Sequence, residues 1–171
     1  MHKKQLNGLE TLEKFKDGTY SAPTMAVTIP MKIISVERGS IEIKTMASDM
    51  HLNPMGGVHG GFAATVLDSA TGAAVHTMLD PGESYGTVDL NVKMMRPVPR
   101  EKDLRAKGKV IHLSRRLGIS EATLKDNEGK IYGQATSTCM ILRKEKRSNV
   151  ITLKSQEIKV GKTTVNKRCT K

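Results

Sequence analysis

At 171 residues with 37% hydrophobic side chains, the chain is long enough to bury one core without metal or disulfide staples. Its net charge of +11 is uneven: ten Lys/Arg against two Glu fall between Arg143 and Lys171, leaving +3 for everything before. No tryptophan and only two phenylalanines make a poor base-stacking platform, so the basicity reads as a solvated tail and a nucleic-acid partner is disfavoured.

The chain opens on MHKKQLNGLETLEKF, whose scattered charges lack the apolar stretch of a secretory signal. Leu6, Leu9, Leu12 and Phe15, spaced by three, predict a short amphipathic helix ending near Asp17-Gly18. Its expected place is over a sheet edge or a pocket mouth. Residues 1–18 are taken as this helical segment, 19–142 as the main domain and 143–171 as the basic tail. From Tyr20 to Pro30 an extended connection is expected, because Pro23 and Pro30 oppose helix. Met31–Val36 and Ile41–Met46 are β-prone runs joined by Glu37-Arg38-Gly39-Ser40, a hairpin signal.

Between Leu52 and Leu79 the only formally charged side chain is Asp68. Asn53-Pro54 and Gly56-Gly57 mark a turn, and a long alanine-rich helix is expected to open at His59-Gly60-Gly61 and run toward Leu79. Phe62, Val66, Ala70, Ala73 and Ala74 share one face, while Gly61, Thr65, Asp68, Gly72 and His76 form a second, narrower stripe. A carboxylate in mid-helix is no N-cap, and burying it costs stability unless it is paired or used. The glycine-rich helix start offers unpaired N–H groups and the positive end of the dipole, a place for an anion or oxyanion. Gly60 and Asp68 are eight residues apart, about 12 Å along a helix axis. One reacting carbonyl cannot touch both groups of one chain, so cooperation between them requires a partner subunit.

Beyond Asp80-Pro81-Gly82 come four strand-like segments, Gly86–Met95, Leu104–Leu113, Leu117–Lys125 and Lys130–Leu142. In the first, Val88, Leu90, Val92 and Met94 alternate with Thr87, Asp89, Asn91 and Lys93, which predicts two opposite faces. Short links point to antiparallel pairing, and one apolar face then needs the central helix as cover. The predicted fold class is α+β, a curved antiparallel sheet of about six strands around one long helix. Val150–Leu153 and Ile158–Val160 offer a weak further strand signal in a lysine-rich setting. Cys139 and Cys169 have no metal-ligand or disulfide signature, and with no run of membrane-spanning length a reduced, cytoplasmic setting is expected. His51, His76 and His112 also lack metal-ligand spacing, so no metal site is expected.

Asn53-Pro54-Met55-Gly56-Gly57-Val58-His59-Gly60-Gly61, Leu67-Asp68, Tyr85-Gly86-Thr87-Val88-Asp89-Leu90 and Met95-Arg96-Pro97 stand in one order and spacing. That pattern resembles the hotdog-fold acyl-CoA thioesterases of the phenylacetic-acid-degradation (PaaI-like) type, over about Thr19–Leu142. The resemblance implies hydrolysis of an acyl-CoA to free acid and CoA, without metal or prosthetic group, by a dimer or dimer of dimers. It implies that the Gly60 N–H binds the thioester oxygen, that Asn53 polarises the carbonyl or places water, and that His59 supports them. Asp68 of the other subunit would be general base or nucleophile, with Thr87 orienting the water. Two departures stand out: Gly72 occupies a position where a related group carries threonine, and Ser114-Arg115-Arg116 replaces a glycine-arginine pair. Gly61, Arg96, Arg115 and Arg116 are candidates for CoA contact, arginine being suited to phosphate. Alternatives are a hotdog dehydratase or hydratase and a non-catalytic acyl-CoA-binding regulator.

Overall fold

The computed structural model describes residues 5–143. Helix α1 (Gly8–Lys16) starts with a capping box: the Asn7 side chain accepts from the Glu10 N–H, and the Glu10 carboxylate accepts from the Asn7 N–H. The Gly8 N–H donates to the Leu79 carbonyl at 3.0 Å, and a Cβ on Gly8 would lie 1.7 Å from the His76 oxygen. Only glycine allows this backbone-on-backbone docking. It sets α1 across the far end of the central helix, with Leu12 buried.

The connection expected to be extended instead holds a five-residue helix, α2 (Thr24–Thr28). Pro23 is its N-cap and Pro30 lies beyond its C-cap Ile29, so the prolines bracket the helix rather than forbid it. None of its residues is buried. Strands β1 (Met31–Glu37) and β2 (Ser40–Thr45) form the expected hairpin, with Gly39 at φ +80° supplying the left-handed turn residue.

The central helix α3 (Gly60–His76) buries Phe62, Val66, Ala70 and Ala74 against the sheet. It stops three residues short of Leu79. Met78 and Leu79 donate to Val75 and His76 in tighter, three-residue bonds, and the Thr77 hydroxyl donates to the Ala74 carbonyl while accepting from the Gly39 N–H. Strands β3 (Glu83–Met94), β4 (Leu104–Leu113), β5 (Leu117–Asp126) and β6 (Ile131–Arg143) complete one antiparallel sheet of order β1-β2-β4-β5-β6-β3. The helix sits very close to it. A Cβ on Gly108 would stand 2.2 Å from the Ala70 oxygen, and the Ser120 hydroxyl donates to the Thr71 carbonyl at 3.0 Å. The result is the α+β architecture expected, a curved six-stranded sheet wrapped on one long helix.

Strand β3 departs from simple alternation. Its pairing with β6 passes from Thr87↔Cys139 to Asp89↔Thr138, so Val88 is a bulge residue. Leu90 and Val92 pack on the core, but Val88 is 56% exposed. The expected shared face of Val88 with Leu90 is therefore corrected, and Thr87 turns to the helix side. Among the described residues no helix is long and apolar enough to cross a membrane. The segments Val150–Leu153 and Ile158–Val160, Cys169 and all of the basic tail after Arg143 lie outside the described residues. Arg143 itself closes β6, its guanidinium donating to Glu83.

Candidate active site

The approach to α3 is a loop tied by one side chain. The Asn53 Oδ1 accepts from the N–H groups of Met55 (2.9 Å) and Gly57 (3.2 Å), while its backbone N–H donates to the Gly57 carbonyl. With the amide oxygen engaged in the turn, Nδ2 is the donor Asn53 has left to offer. The next cap is His59, whose Nδ1 accepts from the Gly61 N–H at 2.8 Å. An accepting Nδ1 places the proton of the neutral ring on Nε2. A Cβ on Gly61 would fall 2.8 Å from that Nδ1, so glycine is what lets the imidazole cap the helix.

Between these two residues the Gly60 N–H meets no acceptor among the described residues and lies exposed at the positive end of a 17-residue helix. A Cβ there would touch only the Met94 Cε, at 3.5 Å. This is a bare amide on an open surface. It suits a developing oxyanion.

Two turns along, Asp68 is half-buried, and the Thr87 hydroxyl donates to its Oδ1 at 3.1 Å. The Val88 bulge makes this possible, because it puts Thr87 and Leu90 on the same side of β3. Thr87 Oγ1 also lies 4.0 Å from the buried thiol of Cys139. Tyr85, on the same strand, packs its phenol over Gly72, where a Cβ would be 2.7 Å from Cε2 and 2.8 Å from the hydroxyl. Burial first, then the negative forms of Cys139 and Asp68, push the phenol up to about 12, so it stays a neutral donor. The His76 ring stands 5.6 Å from Tyr85; burial lowers its basicity, and its Nδ1 has no partner among the described residues.

The arginines are not brought together. Arg96, just past the Met94 end of β3, donates to the Ile131 carbonyl at 2.6 Å. Arg115 and Arg116 sit exposed in the β4–β5 turn, at the opposite end of the sheet beside the Gly86–Met140 rung. His51 is a structural pin: its Nδ1 accepts from the Ser48 N–H, its Nε2 lies 3.1 Å from the Thr28 carbonyl, and its ring packs edge-on to Phe62. His112 lies exposed on β4. Among the described residues no group of three or more His, Cys, Asp or Glu is placed to hold a metal ion.

The sequence pattern of the thioesterase superfamily matches residues 55–132, which include Gly60, Asp68 and Thr87. A solved thioesterase from Ralstonia eutropha JMP134, described as a phenylacetic acid degradation-related protein, is 32% identical. It superposes with a TM-score of 0.69 over 75% of this chain and 97% of its own. The chain belongs to the thioesterase superfamily. A protein of Halobacterium salinarum named as an esterase is 38% identical over 71 residues, 40% of this chain and 46% of its own length. Human acyl-coenzyme A thioesterase 13 is 24% identical over 107 residues, 62% of this chain and 76% of that protein.

The candidate residues fall into two groups along one helix. Gly60, Gly61, His59 and Asn53 gather at its start, whereas Asp68 and Thr87 meet in its middle. Tyr85 belongs to the motif, but the sequence alone assigns it no role. Its signal was Gly72, a hole one turn beyond the acid, which only the folded sheet shows to be filled from β3.

Proposed function

We propose that this protein hydrolyses acyl-CoA thioesters, with Asp68 as general base and the Gly60 N–H as oxyanion donor. The observation that carries the proposal is the Thr87–Asp68 hydrogen bond at 3.1 Å on the helix whose first amide, that of Gly60, meets no acceptor among the described residues. Thr87 occupies Oδ1 and so orients the carboxylate, leaving Oδ2 to take a proton from water. The hydroxyl oxygen adds to the thioester carbon as the carbonyl π electrons move to oxygen, where the Gly60 amide stabilises the charge. Collapse of the tetrahedral adduct breaks the C–S bond, and the proton held by Asp68 goes to the leaving thiolate. Asn53 Nδ2 and the His59-capped loop fix the carbonyl; Gly61 keeps that loop in shape.

Along α3 the donor and the base stand about 12 Å apart, too far to serve one carbonyl. The proposed site is therefore shared: Gly60 from one protomer, Asp68 and Thr87 from its partner. Strand β3, 12 residues long and at the end of the sheet order, offers an open edge for a second copy. Arg96, Arg115 and Arg116 are the proposed phosphate contacts, recruited from opposite ends of two protomers. CoA is part of the substrate, and the mechanism asks for no further cofactor.

The test is thiol release from acyl-CoA by wild type and Asp68→Asn. The variant is expected to lose about 10²-fold or more in kcat while still binding acyl-CoA. Retention of more than about a tenth of kcat, well above what loss of a general base allows, would refute the assignment. Conversion of an enoyl-CoA to a 3-hydroxyacyl-CoA without thiol release would instead favour a hydratase.

A further inference from the structure

Beside the catalytic stripe of α3 lies a cavity of about 510 Å³. That is within the roughly 300–1,000 Å³ range of small-molecule sites. Its roof comes from Leu12 and Phe15 of α1, the helix expected to cover a pocket mouth, and from Met25 and Ala26 of the unexpected α2. Its floor is hydrocarbon from the β1–β2 hairpin, with Ile33 and Ile43 prominent, and Ala73 of α3 forms one wall. The charged members, Lys16, Asp17 and Lys32, are all exposed.

The end of the cavity lined by Ser69 and Tyr85 adjoins the catalytic residues. Ser69 follows Asp68 directly, and Tyr85 stands two residues before Thr87 on β3. Helix α2 buries none of its residues, and Met25 is 53% exposed, so this part of the roof is held weakly. It is pinned at one point, where the His51 Nε2 reaches the Thr28 carbonyl.

We propose that this cavity binds the acyl tail of the substrate, and that its preferred tail is an unbranched apolar chain of medium length. The inference rests on the thioesterase reading and adds the substrate class. At roughly 30 Å³ for a water-sized group, the space takes on the order of a dozen methylenes with ordinary packing losses. Burying each methylene is favourable, so kcat/KM climbs with chain length until the cavity is full. Where a hydroxylated aryl group faces Ile33 and Ile43, its hydroxyls leave water without a partner, which disfavours it relative to a hydrocarbon tail.

The experiment compares kcat/KM for acetyl-, octanoyl- and dodecanoyl-CoA in the full-length wild type, Ala26→Trp and Ala73→Leu, with circular dichroism confirming fold. Wild type is expected to favour dodecanoyl- over acetyl-CoA by more than about tenfold, and either filling variant to cut that ratio by about tenfold. Should Ala73→Leu fail to fold, Ala26→Trp on α2, a helix with no buried residue, decides the matter. An unchanged ratio in a folded filling variant overturns the cavity assignment even if hydrolysis is normal. A parallel binding measurement in Asp68→Asn separates the two readings. Tighter binding of dodecanoyl- than acetyl-CoA, lost on adding Ala26→Trp, supports the cavity even if no thiol is ever released.

Discussion

The Tyr85 phenol occupies the space in which any side chain at Gly72 would stand, with Cε2 2.7 Å from the position of a Cβ. This contact fastens β3 to α3 one turn beyond Asp68 and leaves the ring bordering the acyl cavity. Gly72→Ala must therefore displace the ring. Overpacking of this kind costs about 1–3 kcal/mol, and thermal unfolding should show it. The phenol also reports its own displacement. In place it titrates at about 12, above the ordinary tyrosine value near 10, because burial disfavours the phenolate. A group raised on folding contributes stability that is complete below its unfolded pKa and lost as pH rises through the folded one. Wild type should thus lose stability between about pH 10 and 12. In Gly72→Ala, absorbance titration should find this tyrosine ionising earlier and the alkaline loss diminished. An unmoved titration curve would mean that Tyr85 does not depend on the glycine.

Thr87→Val removes the hydroxyl that donates to Asp68 and keeps a β-branched side chain on the strand. Hydrogen bonds to charged groups contribute about 1.5–3 kcal/mol, and an exposed threonine belongs at the low end of that range. The expected result is a fall of roughly tenfold in kcat, with a smaller change in KM and little change in Tm. Thr87→Ser should recover most of the rate. Full kcat in the valine variant would remove Thr87 from the mechanism.

The fold was legible because its main signals are periodic. The Phe62–Ala74 stripe, the Gly39 turn and the four strands after Gly82 each announce themselves without distant partners. Three features did not. Helix α2 is five residues between prolines, too short for any period to register. The end of α3 depends on Thr77 bonding a hairpin 38 residues away. The Val88 bulge is a property of the pairing between β3 and β6, and strict alternation placed Thr87 on the wrong face. For the candidate site, motif spacing singled out Asp68 and Thr87, while their contact needed that bulge.

At the other end of the sheet, the buried Asp126 carboxylate accepts from Lys102 Nζ (2.8 Å), the Tyr132 hydroxyl (2.9 Å) and the N–H groups of Glu128 and Lys130 (each 3.0 Å). Lys102 foremost, with these other donors, holds the acid far below the usual carboxylate range. Its contribution to stability is present above the unfolded value near 3.9 and is lost as pH falls from there through the folded one. Asp126→Asn should lower Tm by several degrees at neutral pH and flatten the acid limb of the Tm–pH curve. A limb as steep as wild type would show that other carboxylates control acid unfolding.

The separation of Gly60 from Asp68 makes the sharpest prediction, because each half-site can be deleted alone. Gly60 is the first residue of α3, a position where proline fits, and His59 at φ −64°, ψ 134° already has the extended backbone a following proline requires. Gly60→Pro therefore removes the proposed oxyanion N–H with little strain and should cost about 10²-fold or more in kcat. Asp68→Asn inactivates the other half. If each site takes Gly60 from one chain and Asp68 from another, a mixed dimer of the two inactive variants contains one intact pair. Co-expression with two different tags, purification through both and a thiol-release assay would then recover a large fraction of the wild-type rate. A co-purified mixture as inactive as its parents would place donor and base in the same chain's site, which the rise of α3 forbids for a single carbonyl, and the shared-site mechanism would fall.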